Sequence, residues 1–69
     1  MFHKNKLKAQ MTLLGVTAKD LAKELGINEA TFYRKMQRDG DFTRKEINIL
    51  IQVLQIDNPE EIFFAEELA

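Results

Sequence analysis

"TAKDLAKELGINEATFYRKMQR", residues 17–38, holds two helix starts around one glycine. Thr17 is an N-cap, and Asp20 at N3 reaches back toward the free amides and favours the positive end of the helix. Leu21, Ala22 and Leu25 form the inner face of that helix. Gly26 follows at once, where a left-handed residue without a Cβ costs least. Asn28 caps the next helix only two residues later, so the two helices meet at a steep angle across a very short turn. Small Ala22 lets them approach, Ile27 plugs the gap, and Phe32 and Met36 turn inward from the second helix. The pair reads as a helix-turn-helix.

Upstream, Leu7, Met11 and Leu14 fall at i, i+4 and i+7, one apolar stripe on a first helix that ends near Gly15. Downstream, Asp39, Gly40 and Asp41 stop the chain, and "TRKE" at 43–46 is a capping box with Thr43 as N-cap and Glu46 at N3. Ile47, Leu50, Ile51 and Leu54 make the core stripe of this fourth helix, and Ile49, Val53 and Ile56 a second stripe that needs a cover. "NPEE" at 58–61 sets Asn58 as cap, Pro59 at N1 and Glu61 at N3 of an acidic fifth helix over about 59–68. Its Ile62, Phe63, Phe64 and Leu68 are apolar, and the aromatics can cover the second stripe. No linker, repeat or low-complexity tract interrupts residues 1–69, so the pattern predicts one compact all-α domain of five helices joined by short loops.

Composition narrows the function. Sixty-nine residues support one core, burying roughly 60 % of the chain's surface. With no cysteine and only His3, there is no disulfide, no thiolate metal site and no ligand set for zinc or haem, so no cofactor is expected and His3 has no assigned role. The charge-free run Ile47–Ile56 is far shorter than the roughly 20 residues that cross a bilayer, and the basic N-terminus lacks an apolar h-region. A cytoplasmic protein with no membrane contact is expected. Catalysis is not: the adjacent pairs Glu60/Glu61 and Glu66/Glu67 diverge by about 100° on a helix, and no phosphate loop or nucleophile elbow is present. The net charge of −1 hides an asymmetry. Asp57, Glu60, Glu61, Glu66 and Glu67 follow Ile56 without any base, leaving ten basic and six acidic groups before it, a net of +4. The tail is either a solvated helix face or a device for shielding or partner choice.

Residues 17–38 resemble the helix-turn-helix of the Cro and phage-repressor family, also called the XRE type, and the five-helix order around them is similar, so the likeness spans nearly the whole chain. The ending "PEEIFF", 59–64, looks like those of small regulators from phages of Gram-positive bacteria. The resemblance implies a lambda-repressor-like DNA-binding domain whose second motif helix enters a major groove about 12 Å wide. It implies a double-stranded operator as partner, no small-molecule ligand, and a two-fold homodimer at least on DNA. A chain without ligand domain or cleavage site suggests a regulator controlled by its own concentration. Two departures stand out. Ala18 occupies the place where the family commonly has a phosphate-holding glutamine, so that grip falls to the amides of Ala18 and Lys19 or to Lys19 itself. Lys35 stands where an apolar residue often recurs three after Phe32, and Met36 follows one place on, as in a rotated helix.

At 100° per residue, Ala30, Arg34 and Gln37 lie opposite Phe32 and Met36, with Thr31, Tyr33 and Arg38 on the flanks. Family position adds Asn28 and Glu29. The base-reading candidates are therefore Asn28, Glu29, Ala30, Thr31, Tyr33 and Arg34, with Arg34 first because a guanidinium grips O6 and N7 of one guanine. Thr17, Ala18, Lys19, Lys35, Gln37, Arg38, Arg44 and Lys45 are the phosphate candidates. Plainer readings stand beside these. Tyr33 can half-bury its ring against helix four, Arg34 can be merely solvated, and Glu29 can be a first-turn acid favoured by the dipole. Lys4, Lys6 and Lys8 form either an arm along DNA or a frayed N-terminus. Ile49, Val53, Phe63, Phe64 and Leu68 are either satisfied in the monomer or part of a dimer interface. The alternative for the whole chain is an interaction module or repressor antagonist that keeps the fold without specific DNA binding; Ala18, Glu29 and the acidic total support it, and five cations between Arg34 and Lys45 oppose it.

Overall fold

The computed structural model describes residues 2–64, which form five helices and no strand: α1 Lys4–Leu14, α2 Ala18–Leu25, α3 Glu29–Gln37, α4 Arg44–Val53 and α5 Pro59–Phe63. This is the all-α, five-helix order read from the sequence. Two helices start on reciprocal capping boxes. The Asp20 amide donates to Thr17 Oγ1 at 3.1 Å while Thr17's own amide donates to Asp20 Oδ2 at 3.0 Å. Thr43 and Glu46 repeat the device at 3.1 and 2.8 Å. Each such cap is worth about 1 kcal/mol and fixes where the helix begins.

The turn between α2 and α3 is equally local in origin. Gly26 sits at φ 73°, the Ile27 amide returns to the Ala22 carbonyl at 3.0 Å, and Asn28 Oδ1 accepts the Thr31 amide at 2.7 Å. Half-buried Ile27 packs against the core beneath the turn. α4 ends in the same backbone pattern without a glycine: Gln55 takes φ 51° and the Ile56 amide donates to the Ile51 carbonyl at 3.0 Å. From α1, Gln10 Nε2 donates to the Leu54 carbonyl at 2.7 Å, which satisfies that helix end.

Leu7, Leu21, Phe32, Leu50 and Leu54 are fully buried, so α1 to α4 each give at least one large side chain to a common centre. Each contributes roughly 1.5–3 kcal/mol relative to exposure. The α1 stripe is shorter than expected. Met11 is at the margin of the core, and Leu14 is exposed beside Leu13 at 75 % exposure, because the Gly15 turn ends the helix beyond the last residue that reaches the centre.

The N-terminus is pinned rather than frayed, against one reading of its lysines. Phe2 is buried, with its ring 5.8 Å from Phe63 and 5.9 Å from Phe42, and Phe42 lies 5.8 Å from Phe32. The Phe2 amide donates to Asp39 Oδ1 at 3.1 Å and the His3 amide to the Ile62 carbonyl at 2.6 Å. His3 therefore has a role after all: it caps α1, its Nδ1 accepting the Lys6 amide at 3.4 Å, a long and weak bond. Lys4, Lys6 and Lys8 lie on α1 itself.

α5 begins with Pro59 at N1, but Asn58 makes no side-chain capping bond. Its aromatics divide. Phe63 turns to Phe2, whereas Phe64, 43 % exposed, borders a groove with Arg44, Ile47, Ile51 and Pro59. The expected cover for the second stripe of α4 is thus only partial: Ile56 is buried, while Ile49 and Val53 remain half-buried. Leu68, Glu66, Glu67 and the extension of α5 to about residue 68 lie outside the described residues.

Candidate nucleic-acid interface

α3 is held from below by Phe32 and Met36, four residues apart and both buried. Side chains about 180° away around a helix must then face outward. Glu29, Ala30, Tyr33, Arg34, Gln37 and Arg38 are exposed, and Thr31 is half-buried. Tyr33 is 50 % exposed with its ring 6.2 Å from Phe32, so the ring leans on the edge of the core. The side-chain bonds of α3 and its cap belong to Asn28, Lys35 and Gln37; among the described residues, Arg34 and Arg38 take part in none.

Those bonds alter the chemistry of three candidates. Asn28 Oδ1 is occupied by the Thr31 amide, so its Nδ2 is the group left to meet a ligand, and it needs an acceptor there. Gln37 Oε1 takes a long 3.4 Å bond from Lys4 Nζ, which also leaves its amide donor free. Lys35 departs furthest from its expected place. It is only 19 % exposed and points inward, its Nζ 3.2 Å from Glu46 Oε1 and 3.2 Å from the Asp41 carbonyl. Nothing in the sequence marked Glu46 as its partner, since the two are separated by a loop. The one signal was a cation at a position facing the body, which requires a buried acceptor.

At the start of α2, Thr17 Oγ1 takes the Asp20 amide, leaving the first-turn amides of Ala18 and Lys19 without an acceptor inside the helix. The Ala18 side chain is buried, so it can add nothing, while Lys19 is exposed beside it. Arg44 and Lys45 form the exposed first turn of α4, which Lys35 ties to α3. Of the described apolar residues considered for a dimer contact, Phe63 is buried in the aromatic cluster, Val53 packs on the core, Ile49 is half-buried and Phe64 is exposed. No helix among the described residues is long and apolar enough to cross a membrane, and no group of three or more potential ligands among them is placed to hold a metal.

Two carboxylates are shifted. The Thr17 amide holds Asp20 below its ordinary range, with the Thr17 hydroxyl bond adding to it. Burial pushes Glu46 up, but the Thr43 amide and the Lys35 ammonium outweigh that and leave it below its ordinary value. A folded-state value lower than the unfolded one means the unfolded chain takes the proton first as pH falls. The stabilisation is therefore complete above the ordinary carboxylate range near pH 4–4.5 and is lost as pH drops through the depressed values. Urea unfolding at pH 7 and pH 3 should give a lower midpoint at pH 3, and Glu46→Gln should reduce the difference; a pH-independent midpoint would contradict both assignments.

Two short helices set at a fixed angle by a three-residue turn, with the second presenting an exposed polar face beside clustered cations, define a DNA-binding helix-turn-helix domain. A family model described as the Cro/C1-type HTH DNA-binding domain matches residues 6–67. The chain belongs to that family. No curated protein and no solved structure matches it.

Proposed function

We propose that the protein is a sequence-specific transcriptional regulator, a Cro-like repressor of phage or prophage type, that reads double-stranded operator DNA with α3 in the major groove. The observation carrying this reading is the exposed arc of α3 opposite Phe32 and Met36, with Arg34 near its centre and its side chain bonded to no other described residue. Arg34 donates to O6 and N7 of a guanine, Glu29 accepts from a cytosine N4, and Ala30 and Thr31 meet thymine methyl groups. Tyr33 and Asn28 donate at the edge of the site. The free amides of Ala18 and Lys19, with Thr17, Lys19, Gln37, Arg38, Arg44 and Lys45, hold the two backbones. A homodimer on DNA, using Ile49, Val53 and Phe64, accounts for affinity that one nine-residue helix cannot supply alone.

The phosphate assignment is tested by salt. Arg44→Gln and Lys45→Gln should each weaken binding to every duplex alike and reduce the slope of log K against log salt concentration by about one. Wild-type protein that binds no duplex at low salt would support instead a module that keeps the fold and pairs with another protein.

A further inference from the structure

We propose that Lys35 is a positioning residue for DNA reading, setting the roll of α3 through Glu46 instead of touching phosphate. The inference rests on α3 being the reading helix, as proposed above. Phe32 and Met36, α3's buried side chains, are four residues apart and lie along one line of the helix. Contacts along a line resist tilting well and rolling poorly. Lys35 lies about 60° around the helix from Phe32 and about 100° from Met36, on the flank away from Tyr33, so it supplies a tie off that line.

The tie is built at both ends. Lys35 Nζ meets Glu46 Oε1 at 3.2 Å and the Asp41 carbonyl at 3.2 Å, and the Lys35 carbonyl accepts the Asp41 amide at 3.1 Å. Glu46 is fixed in turn, because the same Oε1 accepts the Thr43 amide at 2.8 Å. With side chains 19 % and 13 % exposed, this pair is far drier than Lys6–Glu61, at 47 % and 46 %, so water competes with it less. α3, the loop after it and the first turn of α4 are thereby joined at one ammonium group. A roll of about 10° moves a side-chain tip roughly 6 Å from the helix axis by about 1 Å, the difference between a made and a broken hydrogen bond at a base edge. A backbone contact through a flexible lysine or arginine absorbs such a shift. Loss of the tie therefore reduces discrimination more than general affinity.

The test compares the full-length wild type with Lys35→Met, Lys35→Arg, Glu46→Gln and the double variant Lys35→Met/Glu46→Gln. Binding is measured well below each unfolding midpoint, on the duplex the wild type selects and on a scrambled duplex, across a salt series. Lys35→Met should lower the ratio of specific to scrambled affinity about tenfold with an unchanged salt slope on the scrambled duplex. Glu46→Gln, at a residue with no proposed DNA contact, should shift the ratio in the same direction. The double variant should lose no more than Lys35→Met, and Lys35→Arg should keep most of the ratio. Equal losses on both duplexes with a slope smaller by about one would make Lys35 a phosphate contact and overturn the proposal. A lower unfolding midpoint with the ratio intact would leave the pair structural only, which also overturns it. Should Lys35→Met not fold, the ratio for Glu46→Gln decides alone. Wild type without any duplex preference would remove the reading helix itself, a failure visible before any variant is compared.

Discussion

Gly40→Ala is expected to destabilise the protein by about 2–5 kcal/mol, combining about 1–2 for a left-handed non-glycine residue with about 1–3 for a forced core displacement. Gly40 has φ 70°, and an added Cβ would stand 2.5 Å from Phe2 Cγ and 2.7 Å from both Phe2 Cβ and Cδ1. The Phe2 ring cannot simply swing clear, since Phe63 and Phe42 flank it and its amide is held by Asp39. In a domain of this size the loss corresponds to a drop of roughly 8–40 °C in Tm. Gly26→Ala is the control. Gly26 has φ 73° but nothing within 4 Å of the added atom, so it should show the left-handed cost alone. Calorimetric unfolding of both variants decides it: equal losses would mean that Phe2 does not pack against Gly40 as described.

Arg34→Ala should have the largest effect on recognition. Loss of a bidentate guanine contact costs about 1–3 kcal/mol, or roughly 5- to 150-fold in affinity for the preferred duplex, with the preference at one base position erased. Binding to unrelated duplexes should fall far less, and stability should be unchanged, because the Arg34 side chain is exposed and bonded to no other described residue. Competition titration against duplexes carrying each base at the affected position separates the cases. A uniform loss across all four bases would make Arg34 a phosphate contact.

What was legible in the sequence was local chemistry. Thr17 with Asp20, Thr43 with Glu46, and Gly26 two residues before Asn28 each act within one turn of backbone, so spacing alone located the starts of α2, α3 and α4 and the tight turn between α2 and α3. The exposed arc of α3 followed from two inward residues and the helical period. Contacts closing long loops were not legible. Phe2 meets Phe42 and Phe63 across long stretches of chain, Gln10 caps Leu54, and Lys35 finds Glu46 across a turn whose path no pattern specifies. Leu14 shows the opposite limit: it lies on α1 in phase with Leu7 and Met11, yet the helix runs past the core before reaching it.

The departure of Lys35 from an apolar pattern was visible as a sequence anomaly, and it became interpretable only once Glu46 and Asp41 were seen at 3.2 Å. A part-buried ion pair is a costly way to pack two helices, since apolar side chains of similar volume often serve as well or better. The pair's directionality supplies what an apolar contact does not, a preferred angle between α3 and the start of α4.

Selection from a random duplex pool with the purified protein decides whether α3 reads base sequence in the major groove. The expected result is enrichment of a palindrome with half-sites about 10 bp apart and a guanine within each half-site whose preference disappears in Arg34→Ala. Recovery of a pool no different from the input, with only weak binding abolished by moderate salt, would contradict it.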